Sequence, residues 1–169
     1  MPSSYWRNIP DTLGAILAAR PRTVLDVGIG RGKYGALARE YIGRLRRLDG
    51  VEIWPAYLTW QWALYDRIYI GDVAELELPA YDLVLLVDIV EHFELEASFR
   101  VVERLGARAR QLVISTPHRL FQTRYRGPNV HETHRCRWTV QTLADLCERN
   151  GWTYAVVPNR LSLIATITT

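Results

Sequence analysis

The stretch TVLDVGIGRGKYG, residues 23–35, constrains the fold of this chain more than any other. An apolar run with one acid passes into four glycines and then into a helical pattern. A strand, a glycine turn and a helix in that order form the place where open α/β sheets receive ligands, at the carboxyl ends of their strands. Glycine lets a ligand come against bare peptide, where any Cβ would obstruct it. Gly28, Gly30 and Gly32 are spaced GxGxG. The dinucleotide fingerprint GxGxxG would need glycine where Lys33 stands, and a phosphate-binding P-loop would need GxxxxGK followed by serine or threonine.

The remaining pattern alternates strands with helices. Pro10 and Asp11 open a leading helix within 1–22, with Leu13, Ile16 and Leu17 on one face and Pro21 closing it. Residues 23–27 read as a buried strand, and Tyr34, Leu37, Tyr41, Leu45 and Leu48 recur at helical spacing behind the glycines. Strands are expected near 50–53 and at 67–70, with a short helix near 55–64 between them. YDLVLLVDIV is a continuous apolar run, as in a strand covered on both faces. A helix through Phe99, Val102 and Leu105, a strand at 111–115 and a long polar segment at 116–138 follow. Thr139 suits the cap of a last helix ending at Asn150 and Gly151. The β-rich runs 153–157 and 161–167, separated by Pro158 and Asn159, predict a closing hairpin. This is an α/β pattern, a parallel sheet with helices on both faces and an antiparallel edge. A chain of 169 residues suits one core, so a single domain over 1–169 is expected.

Asp26, two residues before Gly28, Gly30 and Gly32, resembles the opening of the first motif of the class I S-adenosylmethionine-dependent methyltransferases. Glu52, in DGVEIW, stands at the end of the second expected strand, where a carboxylate can accept hydrogen bonds from both hydroxyls of a ribose. GDV, residues 71–73, resembles the family's adenine-binding element. YDLVLLVDIVEHF resembles its fourth motif, with Asp82 opening the strand and Asp88 at its mouth. The resemblance runs from about Val24 to the carboxyl terminus. More narrowly, GIGRGKYG, DGVEIWP and NVHETHRCRWT resemble a bacterial branch of small methyltransferase domains.

That resemblance implies a Rossmann-like, doubly wound, three-layer αβα fold whose seven-stranded sheet is mostly parallel with an antiparallel last strand. It implies S-adenosyl-L-methionine as cofactor, held by Asp26, Gly28, Gly30, Gly32, Glu52, Ile53, Asp72, Val73 and Asp88. Asp26 would lie near the methionine part, Ile53 and Val73 would flank the adenine, and Asp72 would accept from its exocyclic amine.

Methyl transfer from a sulfonium is an in-line displacement whose thioether leaves neutral, so alignment supplies much of the catalysis, on the order of 7–11 kcal/mol in intramolecular reactions. A general base is required only where the nucleophile is an alcohol or a protonated amine. The candidates are His92 and Glu91, just past the fourth strand, and His118 in STPH after the fifth. Small-molecule methyltransferases with EH at this place favour His92.

The segment HRLFQTRYRGPNVHETHRCRW is expected to be the substrate-recognition cover. It offers Arg119, Arg124, Arg126, Asn129, His131, Glu132, His134 and Arg135, of which Arg124, Asn129, Glu132 and His134 are the expected substrate contacts. His131, His134 and Cys136 lack the pairing of CxxC or HExxH, so no metal is expected. The aromatics Trp54, Tyr57, Trp60, Trp62, Tyr65 and Tyr69 are expected to pack core and interface rather than to stack bases.

Charge adds a bias toward anionic partners. From Arg110 onward, eight arginines face three acids, whereas the preceding residues are slightly acidic. The tetrapeptide (D/N/S)PP(Y/F), with which many amino methyltransferases of DNA and protein hold a planar nitrogen, is absent; Val87, Asp88, Ile89 and Val90 occupy its place. The expected acceptor is therefore an oxygen or nitrogen of a small molecule, anionic or sugar-linked, in an open groove or one completed by a second subunit of a homo-oligomer. The alternatives are an RNA methyltransferase using the arginine-rich loop and a cofactor-binding regulatory subunit without catalysis. No apolar run approaches the roughly 20 residues of a membrane span, and the first residues carry no apolar leader. With Cys136 and Cys147 read as reduced thiols, the expected compartment is the cytoplasm.

Overall fold

A computed structural model describes residues 4–119, 122–125 and 127–169, so Arg126 of the expected cover lies outside the described residues. Seven strands form one sheet: β1 (Thr23–Val27), β2 (Arg47–Glu52), β3 (Arg67–Ile70), β4 (Tyr81–Val87), β5 (Ala109–Pro117), β6 (Thr153–Val157) and β7 (Ser162–Thr168). Their spatial order is β3-β2-β1-β4-β5-β7-β6. The strands from β3 across to β5 pair in parallel, and β7 runs antiparallel to both neighbours, slotted between β5 and β6. The expected mostly parallel, seven-stranded α/β sheet is thus observed, with the last strand of the chain as its antiparallel member. Chain order reverses between β1 and β4, and such a reversal opens a crevice at the carboxyl ends of the strands.

Strand alternation sends side chains to two cores. Val24 of β1 and Leu83 and Leu85 of β4 meet Ile16 of α1 (Ile9–Ala18) and Tyr34 and Ala38 of α2 (Lys33–Tyr41). Leu25, Val27, Val84 and Leu86 meet Val102 and Leu105 of α3 (Leu95–Gly106) and Leu143 and Leu146 of α4 (Val140–Asn150). Trp138, fully buried just before α4, donates its indole N–H to Ser98 Oγ at 3.1 Å and meets Phe99 edge-on. Losing such a side chain to alanine costs about 3–5 kcal/mol. Thr139 caps α4 by accepting from the Thr142 N–H at 3.1 Å, and Gly151, at φ 69°, ends it.

Two expectations are corrected. The helix behind the glycines stops at Tyr41, and Leu48 belongs to β2. Leu45 and Leu48 continued the helical spacing because both pack into the same core as α2, from a loop and a strand. The single helix expected near 55–64 is two 3-10 turns, Pro55–Tyr57 and Trp60–Leu64, parted by the extended backbone of Thr59. Among the described residues no helix is long and apolar enough to cross a membrane.

Candidate functional site

The crevice at the β1/β4 reversal has a volume of about 700 Å³. Its floor is the turn after β1, where Gly28, Gly30 and Gly32 all take positive φ. At Gly28 (φ 69°) the left-handed conformation favours glycine, and an added Cβ would lie 2.0 Å from Ile89 Cδ1 and have to displace that side chain. Gly32, at φ 81°, is the N-cap of α2 and does not line the crevice. Gly35 serves a different need: the Tyr65 ring lies where its Cβ would be, which brings the Tyr65 hydroxyl under the turn.

Carboxylates hold this turn from below and from the side. Asp26 is buried and accepts from Tyr65 Oη at 2.6 Å, while Tyr65 Oη accepts from the Gly35 N–H at 3.1 Å. Burial pushes the Asp26 carboxyl up to about 7, against the opposing pull of the Tyr65 hydrogen bond. Glu52 accepts from the Gly30 N–H through Oε2 and from the Trp54 N–H through Oε1, each at 2.8 Å. Burial raises its pKa, and these backbone donors resist the rise. Trp62 completes the brace, donating from Nε1 to Gly30 O at 2.8 Å.

The wall beside Glu52 is the turn after β3. Asp72 Oδ1 accepts from the Ala74 N–H at 2.9 Å, and Val73 is buried beneath it. Arg104 of α3 reaches this turn and donates to Val73 O at 2.8 Å, to Ala74 O at 2.5 Å and to Leu76 O. Sequence inspection missed Arg104, which carries no signal beyond one more charge on a helix. Ile53, Asp72 and Val73 line the crevice beside Glu52.

At the opposite end, β4 delivers Asp88, Glu91 and His92. Asp88 sits at φ 54°, in the left-handed region, with its N–H donating to Ser115 O at 2.7 Å. Glu91 is 1% exposed; Thr116 Oγ1 donates to its Oε2 at 3.0 Å, whereas its Oε1 has no hydrogen-bond partner among the described residues. Burial, with the nearby Asp88 charge adding to it, holds Glu91 well above the usual carboxylate range.

The cover returns onto this end because the Arg135 and Cys136 N–H groups both donate to the Glu91 carbonyl, at 2.8 and 3.2 Å. His134 thereby meets His92 edge-on, with ring centroids 4.9 Å apart. His92 Nδ1 lies 3.3 Å from Thr133 O. Burial lowers the pKa of both histidines, that of His134 to about 4. One ligand-type atom from each of Glu91, His92 and His134 lies within 4.8 Å of the others. Of the residues considered for zinc on sequence, only His134 belongs to this group; His131 is exposed and the Cys136 thiol donates to Val90 O. His92 and His134 are far apart in sequence, so no local spacing announces the cluster.

Asn129 and Glu132 also face the crevice, tied to its far side through Tyr57. Tyr57 Oη donates to Glu132 Oε1 at 2.8 Å and accepts from Asn129 Nδ2 at 3.0 Å. Two expected site residues fall elsewhere. The His118 ring lies 3.0 Å from Asn159 O in the β6–β7 connection, apart from the residues that line the crevice. Arg124 is exposed and outside the lining, because the cover presents its opposite edge inward. Among the crowded aromatics, Trp62 and Tyr65 are core and Trp60 is 73% exposed.

No protein-family model matches the chain, and no curated protein matches it. Solved structures resemble it in fold. One is the magnesium protoporphyrin IX methyltransferase ChlM from Synechocystis PCC 6803 with bound SAH, at TM-score 0.72 and 16% identity, covering 96% of this chain and 81% of that one. Human N-acetylserotonin methyltransferase in complex with SAM matches at TM-score 0.72 and 15% identity, covering 96% of this chain and 51% of that one. The small RNA methyltransferase HEN1 matches at TM-score 0.69 and 20% identity, over 99% of this chain and 26% of that one. The chain therefore spans about half of the second and a quarter of the third. The fold is that of the class I S-adenosylmethionine-dependent methyltransferases.

Proposed function

We propose that the chain is a class I methyltransferase that binds S-adenosyl-L-methionine across the β1/β4 reversal and methylates an oxygen or nitrogen of a small acceptor beneath the 116–138 cover. One juxtaposition carries this: the bare peptide at Gly28 and Gly30, Glu52 at the end of β2 and Asp72 after β3 all line one crevice. The donor set fits the cofactor. Gly28 and Gly30 leave the floor without side chains, and Glu52 and Asp72 offer carboxylate acceptors for ribose hydroxyls and an adenine amine. A crevice lined by Asp26, Glu52, Asp72 and Asp88 suits a cationic sulfonium.

When bound, S-adenosylmethionine supplies an electrophilic methyl group. The contribution of the chain is then positional. Glu52 fixes the turn through Gly30 while keeping lone pairs for the ribose, Arg104 fixes the Asp72 turn, and the cover brings Asn129, Glu132 and His134 to the acceptor end. Calorimetry with S-adenosylhomocysteine tests the proposal. Heat of binding is expected from the folded protein, with Gly28→Val abolishing it and Glu52→Ala weakening it by roughly tenfold or more, the equivalent of one charge-assisted hydrogen bond. Absence of heat from correctly folded wild-type protein refutes it.

A second acceptor class has two observations in its favour. The cover carries exposed Arg119, Arg124, Arg135 and Arg137, and one neighbour in fold is by name a small RNA methyltransferase. The missing amino-methyltransferase tetrapeptide favours the small molecule.

A further inference from the structure

We infer that Glu91, His92 and His134 form a binding site for one divalent transition-metal ion at the acceptor end of the crevice. Their ligand-type atoms lie within 4.8 Å of one another. Donors about 2.0–2.2 Å from a shared ion stand roughly 3–3.5 Å apart, so binding an ion would draw these three side chains together. Two further features point to a cation. Glu91 Oε1 is buried without a hydrogen-bond partner among the described residues, in the same cluster as two imidazoles. His92 Nδ1 faces the Thr133 carbonyl at 3.3 Å, and a ring that donates from Nδ1 keeps its Nε2 lone pair for a metal, the arrangement by which ligating histidines are commonly oriented.

The backbone holds the donors together. Glu91 and His92 ride the turn after β4, and the Arg135 and Cys136 N–H groups clamp the His134 segment onto the Glu91 carbonyl. Two imidazoles and one carboxylate suit Mn²⁺, Fe²⁺, Co²⁺ or Zn²⁺ and leave coordination positions open, whereas Mg²⁺ and Ca²⁺ prefer oxygen ligands throughout. Asp88 and Glu132 line the same crevice, and an oxygen of the acceptor, a hydroxyl or a carboxylate, would complete the shell of a bound ion. This role for the ion rests on the methyltransferase proposal, the ion site itself does not, and it makes His92 a ligand in place of a free base.

The test is a titration of chelator-treated, refolding-competent full chain with Co²⁺, read by ligand-field absorption, and with Mn²⁺, read by loss of the free-ion resonance signal. One ion per chain is expected. His134→Gln and Glu91→Gln, checked for folding by circular dichroism, should each weaken binding by about 10–100-fold or more. His131→Ala, an exposed histidine of the same loop, should leave stoichiometry and affinity unchanged. If His134→Gln does not fold, His92→Gln takes its place. Failure of wild-type protein to take up either ion at about 100 µM, or uptake undiminished in folded variants of two cluster residues, overturns the site. Calorimetry with S-adenosylhomocysteine on the same samples separates the two proposals. Cofactor heat without ion uptake sinks only the metal site, and ion uptake without cofactor heat sinks only the methyltransferase proposal.

Discussion

At Asp26 a carboxyl lies beneath the glycine turn, accepting from the Tyr65 hydroxyl, and burial holds it up to about 7 instead of 3.8. The sign of its linkage to stability follows. Between these values the folded chain keeps a proton that the unfolded chain has released, so the stability contributed by this group falls as pH rises through that window and is constant above it. The full span corresponds to roughly 4 kcal/mol as an upper figure. Asp26→Asn keeps an acceptor for Tyr65 and cannot ionise. In urea unfolding at successive pH values, the variant should therefore gain on the wild type from pH 4 to 7, by about 1–4 kcal/mol; a difference independent of pH refutes the assignment. Asp26 itself was legible in the sequence as the acid before GxGxG. Its partner was not, because Tyr65 reaches it from a 3-10 region through the space left by Gly35, a contact set by packing and not by local spacing.

Helix α3 shows the same division between what a pattern reveals and what it hides. Phe99, Val102 and Leu105 announce its buried face, and all three are in the core. Arg104, one residue before Leu105, reads as a solvated cation, yet its guanidinium collects three carbonyls of the turn that carries Asp72 and Val73. A planar fork can satisfy several carbonyls at once where a lysine ammonium on a flexible stem cannot hold the same geometry. Arg104→Lys should therefore leave the sheet folded and loosen the turn after β3. The expected effect is a rise of about tenfold in the dissociation constant for S-adenosylhomocysteine, near 1.4 kcal/mol, measured by calorimetry. Unchanged affinity would confine Arg104 to a structural role. Similarly, β4 was evident as an apolar run, but the meeting of His92 with His134 depends on the cover turning back onto the Glu91 carbonyl. Polar loops carry no periodicity from which such a return could be read.

Over the whole molecule, the alternation of strands and helices gave away the layers and the strand ends where the crevice opens, whereas no pattern within 116–138 separated Asn129, Glu132, His134 and Arg135, which line it, from the exposed Arg119 and Arg124. Charge separates the two acceptor classes. Arg119, Arg124 and Arg137 are exposed and engaged in no ion pair among the described residues. About three phosphates neutralised on a single strand give a log–log salt slope near −2, so RNA affinity should drop roughly 20-fold between 50 and 200 mM salt. Contact through these surface arginines alone is expected to leave only weak binding of a 20-nucleotide single strand at the higher salt, followed by fluorescence anisotropy. Replacing all three arginines by glutamine should flatten the salt slope and leave S-adenosylhomocysteine affinity intact, since none of the three lines the crevice. Binding that stays at micromolar strength or tighter at 200 mM salt requires contacts beyond the charged rim, such as bases entering the crevice. That outcome would transfer the acceptor assignment from a small molecule to RNA.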